Sequence, residues 1–165
     1  LSQDSPIFDG TLKENIVFDK DISDEKIIEV LKLVELEKFY SKLKNGLQTE
    51  LGEKGILISG GERQRIALAR LFFDDSKIII LDEATSAMDN ITEEKVMKVI
   101  TEKLSNKTFI IIAHRLNTIK NVDEIFVLNN KSATGCKFKS ILRRFETNTP
   151  SPLVSLVAFA FEIKS

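Results

Sequence analysis

Two stretches constrain this chain more than any others: Ser59-Gly60-Gly61-Glu62, running on through Arg63-Gln64-Arg65 to Arg70, and Ile78-Ile79-Ile80-Leu81-Asp82-Glu83. Serine followed three residues later by glutamate is the reciprocal cap that starts a helix. That helix is expected to run to about Phe73, where Asp74-Asp75-Ser76 breaks it. Lys77 to Leu81 then reads as a strand buried on both faces of a parallel sheet, closed by two adjacent carboxylates. Phe109 to Ala113 is a second such strand, followed directly by His114, and Glu124 to Leu128 a third. Residues 91–104 carry Val96, Val99, Ile100 and Leu104 at helical spacing, and Thr118 to Val122 is a short helix. Alternation of strand and helix predicts an α/β fold around a parallel sheet.

The N-terminal part is helical in pattern. Thr11 to Ile16 is a short helix. Ser23 caps a second, with Asp24 and Glu25 in its first turn and Ile27, Val30, Leu31 and Val34 on one face. Residues 35–43 form a third, followed by a loop punctuated by Gly46, Gly52 and Gly55. After Asn130 the character changes. Residues 131–165 carry a net +4 while the preceding 130 carry −5, and the tail shows no motif. Its segment Leu153 to Phe161 is uncharged and β-prone, an aggregation hazard wherever it is unpaired, so poor solubility is expected.

Bulk properties narrow the function. A net charge of −1 gives no support to a nucleic-acid surface. One cysteine, Cys136, excludes an intrachain disulfide framework and fits a reducing compartment. No run reaches the roughly 20 apolar residues of a membrane helix. The opening Leu-Ser-Gln-Asp has neither a basic start nor an apolar core of a signal peptide, and a start in mid-motif reads as a fragment.

The chemistry follows from the strand ends. In open parallel sheets, ligands bind beyond the carboxyl ends of the strands. Asp82-Glu83 ends one strand and His114 another, so neighbouring strands would bring all three to one edge. Successive side chains on a strand face opposite ways, so one carboxylate can hold Mg²⁺ while the other polarises a water. Ser59-Gly60-Gly61 at a helix start is suited to phosphate, through free N–H groups and the helix dipole. His114 can donate a hydrogen bond to a terminal phosphate.

These segments resemble ATP-binding cassette (ABC) ATPases. Residues 58–70, ISGGERQRIALAR, look like the signature motif, with Ile58 where Leu is usual. IIILDEATSAMD resembles the Walker B strand running into the D-loop, with Met88 in place of the common Leu; IIIAHRL resembles the switch-histidine loop. SQDSPIFDGTLKENI is similar to the Q-loop region, and TELGEKG at 49–55 to the X-loop of exporters. The resemblance covers residues 1–130. It implies a partial P-loop NTPase-like parallel sheet, with a helical subdomain at about 11–73, a Walker B to H-loop core at 77–130, and a disordered or aberrant tail of unknown fold at 131–165.

It also implies roles. Glu83 would be the catalytic base, Asp82 the Mg²⁺ partner, His114 a γ-phosphate contact, and Gln3 a contact to Mg²⁺ and the lytic water. Ser59, Gly60, Gly61 and Glu62 would form the ATP-binding signature surface, with Asp89 linking two sites across a head-to-tail dimer. Glu53 would lie near the transmembrane domain. The implied protein is an exporter coupling ATP hydrolysis to transport at the cytoplasmic face of a membrane, with ATP and Mg²⁺ as cofactors, a second nucleotide-binding domain as partner, and no nucleic acid.

The resemblance has two gaps. The nearest approach to a G-x-x-x-x-G-K-[ST] loop is Gly55 to Gly60, where Gly61 stands in place of lysine; the family's P-loop would precede Leu1. After Val127-Leu128-Asn129-Asn130, KSATGCKFKSILRRF replaces the expected end of the cassette, as a frameshift, an altered reading frame or a truncated gene would produce, the alternative being a genuine divergent tail. Two other readings remain. One is a non-catalytic half-cassette supplying a signature surface in trans, with the isolated chain inactive. The other is a non-transport ABC ATPase, which the absence of a coiled-coil insertion or second cassette disfavours.

Overall fold

A computed structural model describes residue 1, residues 6–52, 57–113 and 115, and the strands at 124–128 and 156–161. Helix α1 (Leu12–Val17) starts at Thr11, whose hydroxyl accepts from the Glu14 N–H while the Glu14 carboxylate accepts from the Thr11 N–H at 2.7 Å. This is a second capping box, at a site where sequence reading saw only a short helix. Strands β1 (Gly10–Thr11) and β2 (Glu50–Leu51) pair antiparallel around it. Helix α2 (Asp24–Leu33) follows. Its N-cap is Ser23 as expected, but the Ser23 side chain makes no capping bond. The first turn relies instead on Asp24 and Glu25 at the positive end of the dipole, and Asp24 pairs with Lys13 at 2.6 Å. The third helix, α3, is shorter than expected, Glu37–Tyr40.

Helix α4 (Gly60–Ala69) ends four residues before Phe73, continuing as a 3₁₀ turn over Arg70–Phe72. The Ser76 N–H donates to Asp74 Oδ1, which turns the chain into the sheet. Leu12, Ile16, Ile27, Leu31, Leu36, Leu51, Ile66 and Leu68 are fully buried where these helices meet. Each such side chain contributes about 1.5–3 kcal/mol of transfer free energy.

Strands β3 (Ile78–Asp82), β4 (Thr108–Ile112), β5 (Glu124–Leu128) and β6 (Leu156–Phe161) form one parallel sheet in the order β3-β4-β6-β5. Helix α5 (Asn90–Lys103) connects β3 to β4 and buries Val96, Met97 and Ile100. The expected short helix at 118–122 lies outside the described residues. One expectation changes. Strand β3 is not buried on both faces: Ile79 and Leu81 are buried, but Ile78 and Ile80 are 44% and 51% exposed. Alternate residues face opposite ways, and among the described residues no layer covers the Ile78–Ile80 face. In the tail, β6 lies between β4 and β5, with Leu156 to Phe159 paired to β4 and Val157 to Phe161 to β5.

Leu1 extends the sheet past β3. Its amino group donates to the Ile80 carbonyl at 2.6 Å, and the Asp82 N–H donates to the Leu1 carbonyl at 2.8 Å, which is the parallel pattern.

Asn15 joins the entry segment to the helices. It is 1% exposed, accepts from the Phe8 N–H at 2.9 Å, and donates to the carbonyls of Phe8 and Thr11 at 2.9 and 3.0 Å. Nearby, Arg70 donates to the Asn15 and Pro6 carbonyls and stacks over the rings of Phe8 and Phe18 at 5.3 and 5.5 Å. Asn15→Ala leaves buried backbone groups unpaired and is expected to cost about 2 kcal/mol, read as a lowered urea midpoint at unchanged m-value.

Candidate functional site at the carboxyl edge and the signature helix

Asp82 is the last residue of β3, and its register partner is Ile112 at the end of β4. The Glu83 N–H donates to the Ile112 carbonyl at 3.0 Å, so the turn out of β3 is fastened to β4. Glu83 holds φ +49°, a conformation that costs a side-chain-bearing residue energy and that clusters at functional sites. Asp82 is exposed and Glu83 half-buried. His114 lies two residues past Ile112, and the expected meeting of β3 and β4 is observed, but His114, Gln3 and Glu53 themselves lie outside the described residues.

At the second locus, the capping box forms as read. The Glu62 N–H donates to Ser59 Oγ at 3.3 Å, and Glu62 Oε2 accepts from the Ser59 N–H at 2.9 Å and from its hydroxyl at 2.7 Å. Glu62 is thus a structural cap as well as a surface acid. Burial opposes its charge, but the two Ser59 hydrogen bonds, helped by Arg65 and Lys42, hold its carboxyl below the usual range. Asp89 is the N-cap of α5 and accepts from the Thr92 N–H at 3.0 Å; this bond holds its carboxyl low as well. The N–H groups of Gly60 and Gly61 have no acceptor within their own helix. A Cβ on Gly60 would meet the Ala87 methyl at 3.3 Å, and one on Gly61 the Ala87 carbonyl at 3.1 Å. On one side, then, the loop after β3 leaves little room for a side chain at either glycine.

That loop is held from two directions. Gln64, 3% exposed, donates to Ser86 Oγ at 3.0 Å and accepts from the Ala87 N–H at 2.9 Å. From the other side Arg115 donates to the carbonyls of Met88 and Ser86, both at 2.9 Å, and to the Glu93 carboxylate at 3.0 Å. Glu93 is buried and also accepts from the Thr85 hydroxyl at 2.8 Å. Sequence reading treated Gln64 as a motif letter and did not single out Arg115, Glu93 or Thr85. A glutamate on the apolar face of a helix was the available signal for Glu93.

An open cavity of about 360 Å³ lies beside α4, lined by Glu62, Arg65 and Asp89 with Lys32, Lys38 and Lys42. Arg65 presents a buried Nε with no acceptor among the described residues. Two nucleotide-surface candidates, Glu62 and Asp89, meet here; Asp82 and Glu83 are not in its wall.

The family model for ABC transporters matches residues 1–86. The chain belongs to the ABC transporter family. It is 41% identical over 137 residues to a multidrug resistance ABC transporter ATP-binding and permease protein of Lactococcus lactis, covering 82% of this chain and 23% of that one. It is 46% identical over 132 residues to the mitochondrial iron–sulfur clusters transporter ATM1 of Candida albicans, covering 78% and 18%. A solved bacterial Atm1-family ABC exporter with ATP bound superposes with a TM-score of 0.63 at 39% identity, over 71% of this chain and 21% of that one. The chain spans about a fifth of these relatives' length. It is part of the ATP-binding domain of an exporter-type ABC protein, and the fold is the corresponding partial ABC ATPase fold. Among the described residues no helix is long and apolar enough to cross a membrane.

Two measurements probe these networks. Arg115→Ala leaves buried Glu93 without its cation. With Arg115 itself 41% exposed, the expected cost is discounted to about 2 kcal/mol. Glu93→Gln in the same background is expected to recover part of it, read from denaturant midpoints in a double-mutant cycle. Ser59→Ala is expected to raise the Glu62 pKa toward its ordinary value in a carbon-13 titration. Because Glu62 is depressed in the folded chain, its contribution is present above the unfolded value and lost as pH falls through the folded one. The penalty of about 1 kcal/mol expected at neutral pH therefore shrinks in that acid window.

Proposed function

We propose that this chain is the signature-to-switch portion of an ATP-hydrolysing domain in an ABC exporter, coupling hydrolysis of MgATP to transport across a membrane. The observation that carries this reading is the Asp82-Glu83 pair at the carboxyl end of β3, beside the end of β4, with Glu83 in a strained backbone conformation.

Glu83 is the general base that takes a proton from the attacking water, and Asp82 holds Mg²⁺, which neutralises charge on the phosphates. The chemistry of the donors fits. Mg²⁺ takes one or two carboxylates and fills its shell with water and phosphate, and among the described residues there is no denser cluster of ligating side chains. His114 donates to the γ-phosphate, and Gln3 orients water and metal. Ser59, Gly60, Gly61 and Glu62 present the N-terminus of α4 to a nucleotide held by a second ABC domain, and Asp89 lies at the junction. The region around Glu53 meets the transmembrane domain at the cytoplasmic face.

A second reading has its own support. The sequence holds no G-x-x-x-x-G-K-[ST] segment. Taken alone, the chain then supplies a signature surface in trans and hydrolyses nothing by itself.

In a full-length exporter carrying this segment, Glu83→Gln is expected to abolish turnover, by 10²-fold or more on the order of general-base losses, while ATP binding is retained. Phosphate release at the wild-type rate in that variant removes Glu83 as the base.

A further inference from the structure

The hydrolytic chemistry makes no use of one buried carboxylate, Glu93. It lies in the first turn of α5, and its side chain is 3% exposed. Val96, Met97 and Ile100 already supply the apolar face of that helix, so packing calls for no acid here. Taking a carboxylate out of water is costly unless its oxygens are hydrogen-bonded and a cation lies close. Both conditions are met. Oε1 accepts from the Thr85 hydroxyl at 2.8 Å, and Oε2 accepts from Arg115 Nη1 at 3.0 Å.

The two donors come from the exits of neighbouring strands. Thr85 stands two residues past Glu83, in the turn leaving β3, and is itself buried. Arg115 leaves β4 and also donates to the Ser86 and Met88 carbonyls. The Ser86 N–H donates to the Glu83 carbonyl at 3.1 Å, and the Met88 N–H to the Thr85 carbonyl at 3.0 Å. Residues 83–88 are thus two overlapping turns, entered through the positive φ of Glu83. A glutamate has no intrinsic preference for that conformation. It persists where its surroundings over-determine it. Glu93 holds those surroundings twice: Thr85 directly, and the Ser86 and Met88 carbonyls through the guanidinium that it orients. A planar fork delivers several bonds at once only when its plane is set, and the carboxylate sets it. Apolar residues of similar volume would fill the same space, and replacing a buried ion pair in that way is often neutral or stabilising. Stability alone therefore does not require a charge in this position.

We propose that Glu93 is a positioning residue for the Asp82-Glu83 edge: by joining Thr85 to Arg115 it fixes the turn that aims the Glu83 carboxylate. This rests on the reading of Glu83 as general base and deepens it. Glu93 touches neither nucleotide nor water in this role and acts through the backbone of residues 83–88.

The test uses a full-length exporter carrying this segment, at a temperature where unfolding curves show each variant folded. Glu93→Gln keeps the size of the side chain, removes its charge and turns an N–H₂ group toward one of the two donors. Its kcat is expected to fall at least ~10-fold, as misplacement of a reacting group does, with KM for ATP within ~2-fold of wild type. Unchanged kcat, or a loss carried by KM, overturns the proposal. Thr85→Val removes only the link to the turn and is expected to lower kcat at least ~3-fold. Wild-type kcat there overturns it even if Glu93→Gln fails to fold. The triple variant Thr85→Val, Glu93→Met, Arg115→Met separates placement from stability. Its urea midpoint is expected to lie at or above that of Glu93→Gln while kcat stays low. Recovery of kcat along with the midpoint makes the network a device for stability only and overturns the proposal.

Amide exchange supplies an arm that needs no ATP. In Glu93→Gln the Glu83 amide, which donates to the Ile112 carbonyl, is expected to exchange at least ~10-fold faster, while Ile66 to Ala69 in α4 keep their protection. Unchanged exchange at Glu83 overturns the proposal. Failure of the general-base reading shows instead as wild-type turnover in Glu83→Gln, and exchange reads the turn whichever way that turnover falls.

Discussion

The parallel pairing of Ile78–Asp82 with Thr108–Ile112 is the constraint on which the rest of the site depends. It is built from two short apolar runs whose inner residues, Ile79, Leu81, Phe109 and Ile111, are almost completely removed from water. Their burial sets the register, because a slip of one residue would turn the slipped strand's inner residues to the other face. Once the register is set, Asp82 stands level with Ile112, and the Glu83 amide finds the Ile112 carbonyl. The positive φ of Glu83 is maintained by that fastening. A strained carboxylate persists where packing and hydrogen bonds on both sides over-determine it.

The loop from Ser86 to Met88 receives the consequence. Gln64 grips it from the signature helix, and Arg115 grips it from the segment leaving β4. Two segments far apart in sequence thus share one short loop. The contacts are directional: a side-chain amide matching a backbone N–H, and a guanidinium fork spread over two carbonyls and a carboxylate. Displacement of the β4 exit by an ångström would break bonds to the loop that also packs against Gly60 and Gly61. Such coupling needs no long pathway, since the same few atoms touch all three elements.

Much of this was legible in the sequence for physical reasons. The capping box of α4 depends on two side chains three residues apart, so local spacing suffices to read it. The strands were legible because continuous apolar runs bounded by breakers have few other uses. What escaped was non-local. The open face of β3 depends on what lies over Ile78 and Ile80, which no feature of the run itself reveals. Ser23 has the residue type of a cap but no side-chain bond, because cap chemistry also needs the χ1 and approach angle that tertiary packing sets. The Gln64, Glu93 and Arg115 network joins residues 22 to 29 apart and was invisible to any local pattern. The strand in the tail was read as a β-prone hazard; its propensity was correct and its partner was not available to the eye.

Charge is arranged differently at the two loci of the candidate site. Glu62 and Asp89 are held ionised by hydrogen bonds to helix-start N–H groups, so the cavity beside Arg65 carries fixed negative charges at the two helix N-termini. A triphosphate placed against those carboxylates alone would be repelled. The Gly60 and Gly61 amides offer it hydrogen bonds but little net charge. Arg65, Lys32, Lys38 and Lys42 in the same wall offset those carboxylates, so the charge of the cavity is mixed. Asp82 and Glu83, at the carboxyl end of β3, do not line that cavity. Within one copy of this chain the two loci are therefore separate. On the function proposed above, head-to-tail pairing of two such domains would be the arrangement that lets both loci act on one nucleotide.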